Sequence, residues 1–191
     1  MLNRLSFEEL DFGPEITPDD PLKLGDYDQC RFMGCDFSNT SLAGMYFSDC
    51  TFMHCNFSSC QLSNVVLNDV LFKGSKMLGL HFEDCHKVPF GFRFEDCVAD
   101  FSSFTKCRMK GFSFIRCSLR ETDFSGADLQ EVLFDGCDLE KAVFEQSNLE
   151  KSDFRTSYHF SIDPSQNRMR KARFAPDRLE GLLNKFGLDI N

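Results

Sequence analysis

The chain has no tryptophan, only three tyrosines and four histidines, and no apolar run near the ~18 residues of a membrane span. The missing run excludes a membrane-spanning helix. Met1 to Asp11 also lacks the apolar core of a secretory signal, so a cytoplasmic protein is expected. Positive charge is short as well. Lys and Arg number 21 against 30 Asp and Glu, giving a net charge of −9 and a pI of about 4.9. Nonspecific nucleic-acid binding needs clustered Lys and Arg on phosphates, so direct nucleic-acid binding is not expected. There is no glycine-rich phosphate loop. His54, His81, His86 and His159 share no spacing with a carboxylate or nucleophile that would make a triad or a metal site.

Against these shortages stand 23 phenylalanines and ten cysteines in 191 residues. One ring shape used so often points to one site that recurs. Steps of five from Phe32 reach Phe37, Leu42, Phe47, Phe52, Phe57, Leu62, Leu67, Phe72, Met77 and Phe82. A second run passes through Phe94, Ala99, Phe104, Met109, Phe114, Leu119, Phe124, Leu129, Phe134, Leu139, Phe144, Leu149 and Phe154. Ala99 alone is small. The second run is offset by two residues, which places an insertion at 86–92, where Pro89 and Gly91 suit a bulge or short loop. A period of five is neither helical nor that of an alternating strand, so each pentapeptide must turn the chain through a fixed angle.

Two places before each large residue lies a second class of mostly small residues. It contains Cys30, Cys35, Cys50, Cys55, Cys60, Cys85, Cys97, Cys107, Cys117 and Cys137, which is every cysteine in the chain. The spacing is therefore that of the repeat rather than of a zinc loop. Buried free thiols acting as small hydrophobes account for it, and neither a metal nor another cofactor is assigned. The remaining positions are largely Asp, Asn, Ser, Gly, Arg, Lys and Glu, as solvent-facing sites should be.

The repeat reads CDFSN at Cys35 to Asn39, CNFSS at Cys55 to Ser59, ADLQE at Ala127 to Glu131 and SNLEK at Ser147 to Lys151. This pattern resembles the pentapeptide-repeat family, with its A(D/N)LXX consensus, over about residues 30–157. The resemblance implies an all-β fold, a right-handed quadrilateral β-helix with four pentapeptides per coil and both residue classes pointing inward. Charge supplies an independent check, because a four-sided coil stacks residue n on n+20. Between Arg93 and Arg173 that separation gives nine opposite-sign pairs: Asp96/Arg116, Asp100/Arg120, Arg108/Asp128, Arg120/Glu140, Glu121/Lys141, Glu131/Lys151, Asp135/Arg155, Glu150/Arg170 and Asp153/Arg173. Lys151/Lys171 is the single like-sign pair. Separation 10 gives eight like pairs and five opposite ones, so the 20-residue coil is favoured.

Residues 1–24, with Pro14, Pro18 and Pro21, are expected to cap one end, 25–174 to form the β-helix, and 175–191 to form a short C-terminal α-helix and tail. Pro176 can open that helix, and Leu179, Leu182, Leu183 and Phe186 fall on one stripe. In characterised members of the family, C-terminal elements pair two rods, so the resemblance implies a homodimer with these four residues as its candidate interface. The segment 121–153 carries ten acidic against two basic residues. Asp123, Asp128, Glu131 and Asp138 are the candidate acidic binding surface. No catalytic set is assigned, and the expected function is a non-enzymatic scaffold for a macromolecular partner. The alternative follows from resemblance to quinolone-resistance proteins of the Qnr and MfpA type: a DNA mimic that binds a type II topoisomerase, gyrase, and protects against quinolones or toxins.

Overall fold

The computed structural model describes residues 4–88 and 90–189; Pro89 of the expected insertion, residues 1–3 of the expected cap and residues 190–191 of the tail lie outside them. Ten short strands follow in order: β1 Leu5–Glu8, β2 Asp11–Phe12, β3 Gly25–Asp28, β4 Arg31–Met33, β5 Tyr46–Ser48, β6 Thr51–Met53, β7 Val66–Lys73, β8 Phe90–Glu95, β9 Ser113–Ile115 and β10 Leu133–Asp135. All pair in parallel, and isolated parallel bridges extend the ladders between and beyond them. The chain is a β-solenoid.

The turning device is local. At most repeats the residue two places after the large apolar position adopts the left-handed conformation, as in Asn39 (φ 56°), Asp49 (φ 52°), Asn64 (φ 56°), Gly34 (φ 68°) and Gly126 (φ 67°). Such a residue bends an otherwise extended chain at a corner, and Gly, Asn and Asp reach it at least cost. Four corners return the chain to its first face, which is why Phe32 lies in register with Phe52, and Phe114 with Phe134, 20 residues on.

The large residues then form columns inside the rod. Phe104, Phe124 and Phe144 stack at 5.2 and 5.0 Å, and Phe114, Phe134, Phe154 and Phe174 at 5.2, 4.8 and 5.2 Å. The two columns meet edge to face, as with Phe124 against Phe134 at 5.8 Å and 83°. Both arrangements suit the quadrupole of the ring.

The small class has a second property besides size. Cys50, Cys55 and Cys137 point their thiols at the carbonyls of Tyr27, Phe32 and Phe114, each 23 residues back, at 3.3–3.5 Å. Ser147, Ser152, Ser157 and Thr122 donate to the corresponding carbonyls of Phe124, Leu129, Phe134 and Ala99 at 2.7–3.1 Å. The position therefore takes a compact side chain that can also satisfy a buried carbonyl. All ten cysteines are buried and free. Burial raises the thiol of Cys107 to about 12 and that of Cys60 to about 11.

Where the repeat changes phase, register confirms two added residues: Phe72 pairs with Phe94, Lys76 with Val98 and His81 with Ser103, all 22 apart. The ladder slips between Leu67 and Val70. Only the first part of 86–92 loops outward, for Val88 is exposed while Phe90–Glu95 is strand. Phe92 occupies a small-class position yet is buried, packing on Phe94 at 4.8 Å and Phe112 at 4.9 Å. It brings a ring into the stretch of rod where Ala99 supplies none.

At the ends the structure differs from expectation in two ways. β1 and β2 pair in register with β3 and β4, and Leu22 is buried 20 residues before Leu42, so the ladder begins at Leu5 rather than after residue 24. Phe7 and Phe12 thus belong to the columns, with Phe12 stacked on Phe32 at 4.8 Å. At the other end a helical segment is present, but it consists of 3₁₀ turns, Pro176–Leu182 and Asn184–Phe186, broken at Arg178 (φ −129°, ψ 15°). The segment is short and pinned to the preceding coil, with the Gly181 carbonyl accepting the Ile162 N–H at 2.9 Å and Arg178 donating to the Thr156 and Ser157 carbonyls at 2.8 and 2.6 Å, and short connecting pieces of this kind favour 3₁₀ turns.

Candidate interaction surface

Because the large and small classes are spent on the core, the residues left for recognition are those flanking each large residue and those at the corners. Parallel stacking holds them in vertical files about 4.8 Å apart. Five of the nine expected charge pairs form across neighbouring coils: Asp96–Arg116, Arg120–Glu140, Glu121–Lys141, Glu131–Lys151 and Asp153–Arg173. Others re-pair locally. Arg155 turns to Asp153 at 2.7 Å instead of Asp135, and Glu150 takes Arg168 at 3.0 Å instead of Arg170.

The candidate acidic residues do not gather into one patch. Asp123, Asp128 and Asp138 lie on three separate ladders, with Ser103 and Val143, Arg108 and Asn148, and Ser118 and Tyr158 respectively. Glu131 is bound to Lys151, whose ammonium holds its carboxyl below the usual range. Asp128 accepts Asn148 Nδ2 at 2.8 Å, and Asp123 caps its own turn through the Ser125 N–H.

Asp138 is only 5% exposed and is the centre of a network. Arg120 contacts its Oδ2 at 2.7 Å, and His159 Nδ1 lies 2.9 Å from its Oδ1. Burial works to raise its pKa, and the bonds from Arg120 and His159 outweigh that, leaving it below the ordinary carboxylate value. Donor atoms of Asp138, Glu140 and His159 come within 4.8 Å of one another, the spacing of a metal site. Arg120 already bonds Asp138 and lies 3.6 Å from Glu140, so the negative charge is compensated by the guanidinium. This network escaped sequence reasoning because 138/159 and 120/138 are diagonal neighbours rather than members of one file.

The four residues of the expected C-terminal interface are split. Leu182 packs against the core, Leu183 is half-buried, and Leu179 and Phe186 are exposed. A 3₁₀ segment has three residues per turn, so 179/182 and 183/186 form two stripes rather than one. Leu183 lines a cleft with Tyr158, His159, Arg178, Glu180, Asn184 and Leu188.

Taken together, a parallel ladder with a corner every five residues and an aromatic-stacked interior defines a β-solenoid of pentapeptide coils. The pentapeptide-repeat region model matches residues 26–93 and 92–162, and the chain belongs to the pentapeptide-repeat family. No curated protein matches. Among solved structures, the chain is similar to HetL, a pentapeptide repeat protein involved in heterocyst differentiation regulation in the cyanobacterium Nostoc sp. strain PCC 7120. The identity is 14% and the TM-score 0.64, over 88% of this chain and 84% of that one. It is also similar to QnrB1, a plasmid-mediated fluoroquinolone resistance protein, at 17% identity and a TM-score of 0.40 over 98% of each chain. At these identities the HetL likeness speaks to fold alone, and the weaker QnrB1 superposition adds no argument. Among the described residues no helix is long and apolar enough to cross a membrane.

Proposed function

We propose that this protein is a non-enzymatic scaffold that offers its outer files to a protein partner. The observation that supports this reading is the lattice itself. Parallel backbone pairing fixes outward side chains on a 20-residue grid, and such a grid is suited to recognising an extended surface. A reducing, cytoplasmic setting belongs to the same reading, since the small-class thiols serve as packing groups and carbonyl donors. Self-association through the C-terminal end belongs to it too, with Leu179 and Phe186 exposed there.

Of the two partner classes, a general protein partner is favoured over a type II topoisomerase. A DNA mimic needs a run of uncompensated negative charge. Within 121–153, Glu121, Glu131, Asp138 and Asp153 are each paired with a cation from the same or a neighbouring coil. Purified protein is therefore expected neither to inhibit gyrase supercoiling nor to relieve quinolone-stabilised cleavage at micromolar concentration. Affinity capture from the native cell is expected to retain a stoichiometric protein partner that charge reversal on one outward file releases. Protection of gyrase would instead establish the mimic, and failure of any file reversal to release the captured protein would refute a scaffold surface.

A further inference from the structure

The two ends of the rod differ in a complementary way. At the N-terminal end β1 and β2 pair only with β3 and β4, so their outer edges have no ladder partner among the described residues. At the C-terminal end, Arg168 pairs only with Asn148, and Arg173 only with Asp153. These are the same faces. One unbroken file runs from Asp11 through Arg31, Thr51, Leu71, Arg93, Ser113, Leu133 and Asp153 to Arg173. Free parallel edges on matching faces are sites for continued pairing.

The 20-residue rule fixes what that pairing would bring together. If a second copy continues the ladder, Ser6 follows Arg168 and Asp11 follows Arg173. The same register sets Glu8 over Arg170 and Glu9 over Lys171, so with Asp11 over Arg173 the junction has three opposite-sign pairs. Inside, Phe12 meets Phe174 and extends a column already spaced at 4.8 Å for Phe12–Phe32 and 5.2 Å for Phe154–Phe174. Leu5 and Leu10 occupy inward small-class positions, yet are 47% and 45% exposed for want of a coil beyond them. A second coil covers both.

We propose that the N-terminal end of one copy docks head to tail on the C-terminal end of another, with Glu8, Glu9 and Asp11 against Arg170, Lys171 and Arg173. Head-to-tail contact pairs an acidic edge with a basic one, whereas tail-to-tail contact brings together two edges that both carry Arg168, Arg170, Lys171 and Arg173. Among the described residues Asp11, Arg168 and Arg173 hold ion pairs within the rod, whereas Glu8, Glu9, Arg170 and Lys171 hold none. A head-to-tail contact is heterologous and does not close on itself in a straight rod, so assembly is open-ended. The inference concerns the chain's own ends and does not rest on the scaffold reading.

The test is sedimentation velocity on the full chain over a concentration series at low and high salt. Wild type is expected to show mass rising continuously with concentration, and less so at high salt. Glu8→Lys/Glu9→Lys and Arg170→Glu/Lys171→Glu are each expected to weaken association roughly tenfold or more. All four positions are exposed, so the fold should be kept, which circular dichroism checks. Mixing the two variants, or combining all four changes in one chain, is expected to restore association. A monomer at every concentration would overturn the proposal. So would growth that stops at a dimer and is indifferent to both reversals, which would assign a tail-to-tail contact instead.

Discussion

Replacing Phe124 with alanine tests whether the aromatic columns carry the stability of the rod. Phe124 is fully buried, lies between Phe104 at 5.2 Å and Phe144 at 5.0 Å, and meets Phe114 and Phe134 edge to face at 6.0 and 5.8 Å. Truncation of a buried phenylalanine costs about 3–5 kcal/mol, the range reflecting how far the site can collapse. Here collapse is restrained, because the Phe124 N–H is bonded to the Val143 carbonyl at 2.9 Å and the coils above and below are fixed by their own ladders. The upper half of the range is expected, about 4–5 kcal/mol, with the four ring contacts adding to the lost transfer energy. Phe101→Ala is the control. That ring is 61% exposed at a corner with φ 61°, and its removal should change stability by less than about 0.5 kcal/mol. Urea unfolding followed by far-ultraviolet circular dichroism measures both, provided the transition remains two-state. A Phe124→Ala cost below about 1 kcal/mol, or one equal to that of Phe101→Ala, would refute the reasoning.

Two further outcomes follow from buried polar groups. The ten cysteines should be unreactive to an aromatic disulfide reagent at pH 8 in the native protein and all titrate in denaturant, since every one is buried away from the reagent and burial further raises thiols such as Cys60 and Cys107; fast native labelling of several thiols would contradict their placement. Asp138→Asn should cost about 1–3 kcal/mol at neutral pH by unpairing Arg120 and His159 from a buried carboxylate. The folded pKa of Asp138 lies below its unfolded value, so this contribution is present above about pH 4 and is lost as pH falls through the folded pKa. The gap between wild type and variant should therefore narrow on acidification, and a constant gap would show that charge is not its source.

Much of this architecture is readable from residue spacing, because a solenoid repeats one local decision many times. Phe32 and Phe52 announce the inward file, and Asp96 with Arg116 the coil length, by spacing alone. What stays hidden is whatever depends on diagonal or aperiodic contacts. The Asp138 network joins residues 18 and 21 apart, so a search at one separation misses it. Prolines in 1–24 read as a break, although Phe7, Phe12 and Leu22 keep the inward positions and let the coil form despite them. The C-terminal stripe reads as α-helical because leucine spacing registers amphipathicity, whereas the 3₁₀ form belongs to a short segment held by tertiary contacts, Gly181 to Ile162 and Arg178 to Thr156 and Ser157, that spacing does not reveal. The candidate acidic residues are spread over several files for a related reason: closeness in sequence places successive pentapeptides on different faces.

The central claim is that one turn of the rod takes 20 residues, except for the single turn that takes 22. Distances between spin labels on one outward file test it directly. Arg31, Arg93, Leu133 and Arg173 are exposed members of the same file, with Arg93 three, Leu133 five and Arg173 seven coils from Arg31. At a coil spacing of about 4.8 Å, backbone separations of about 14, 24 and 34 Å are expected, with the 22-residue turn counting as one step. Label distances that rise linearly with coil number would uphold the account; distances that ignore it, or a kink confined to the step across 86–92, would contradict it.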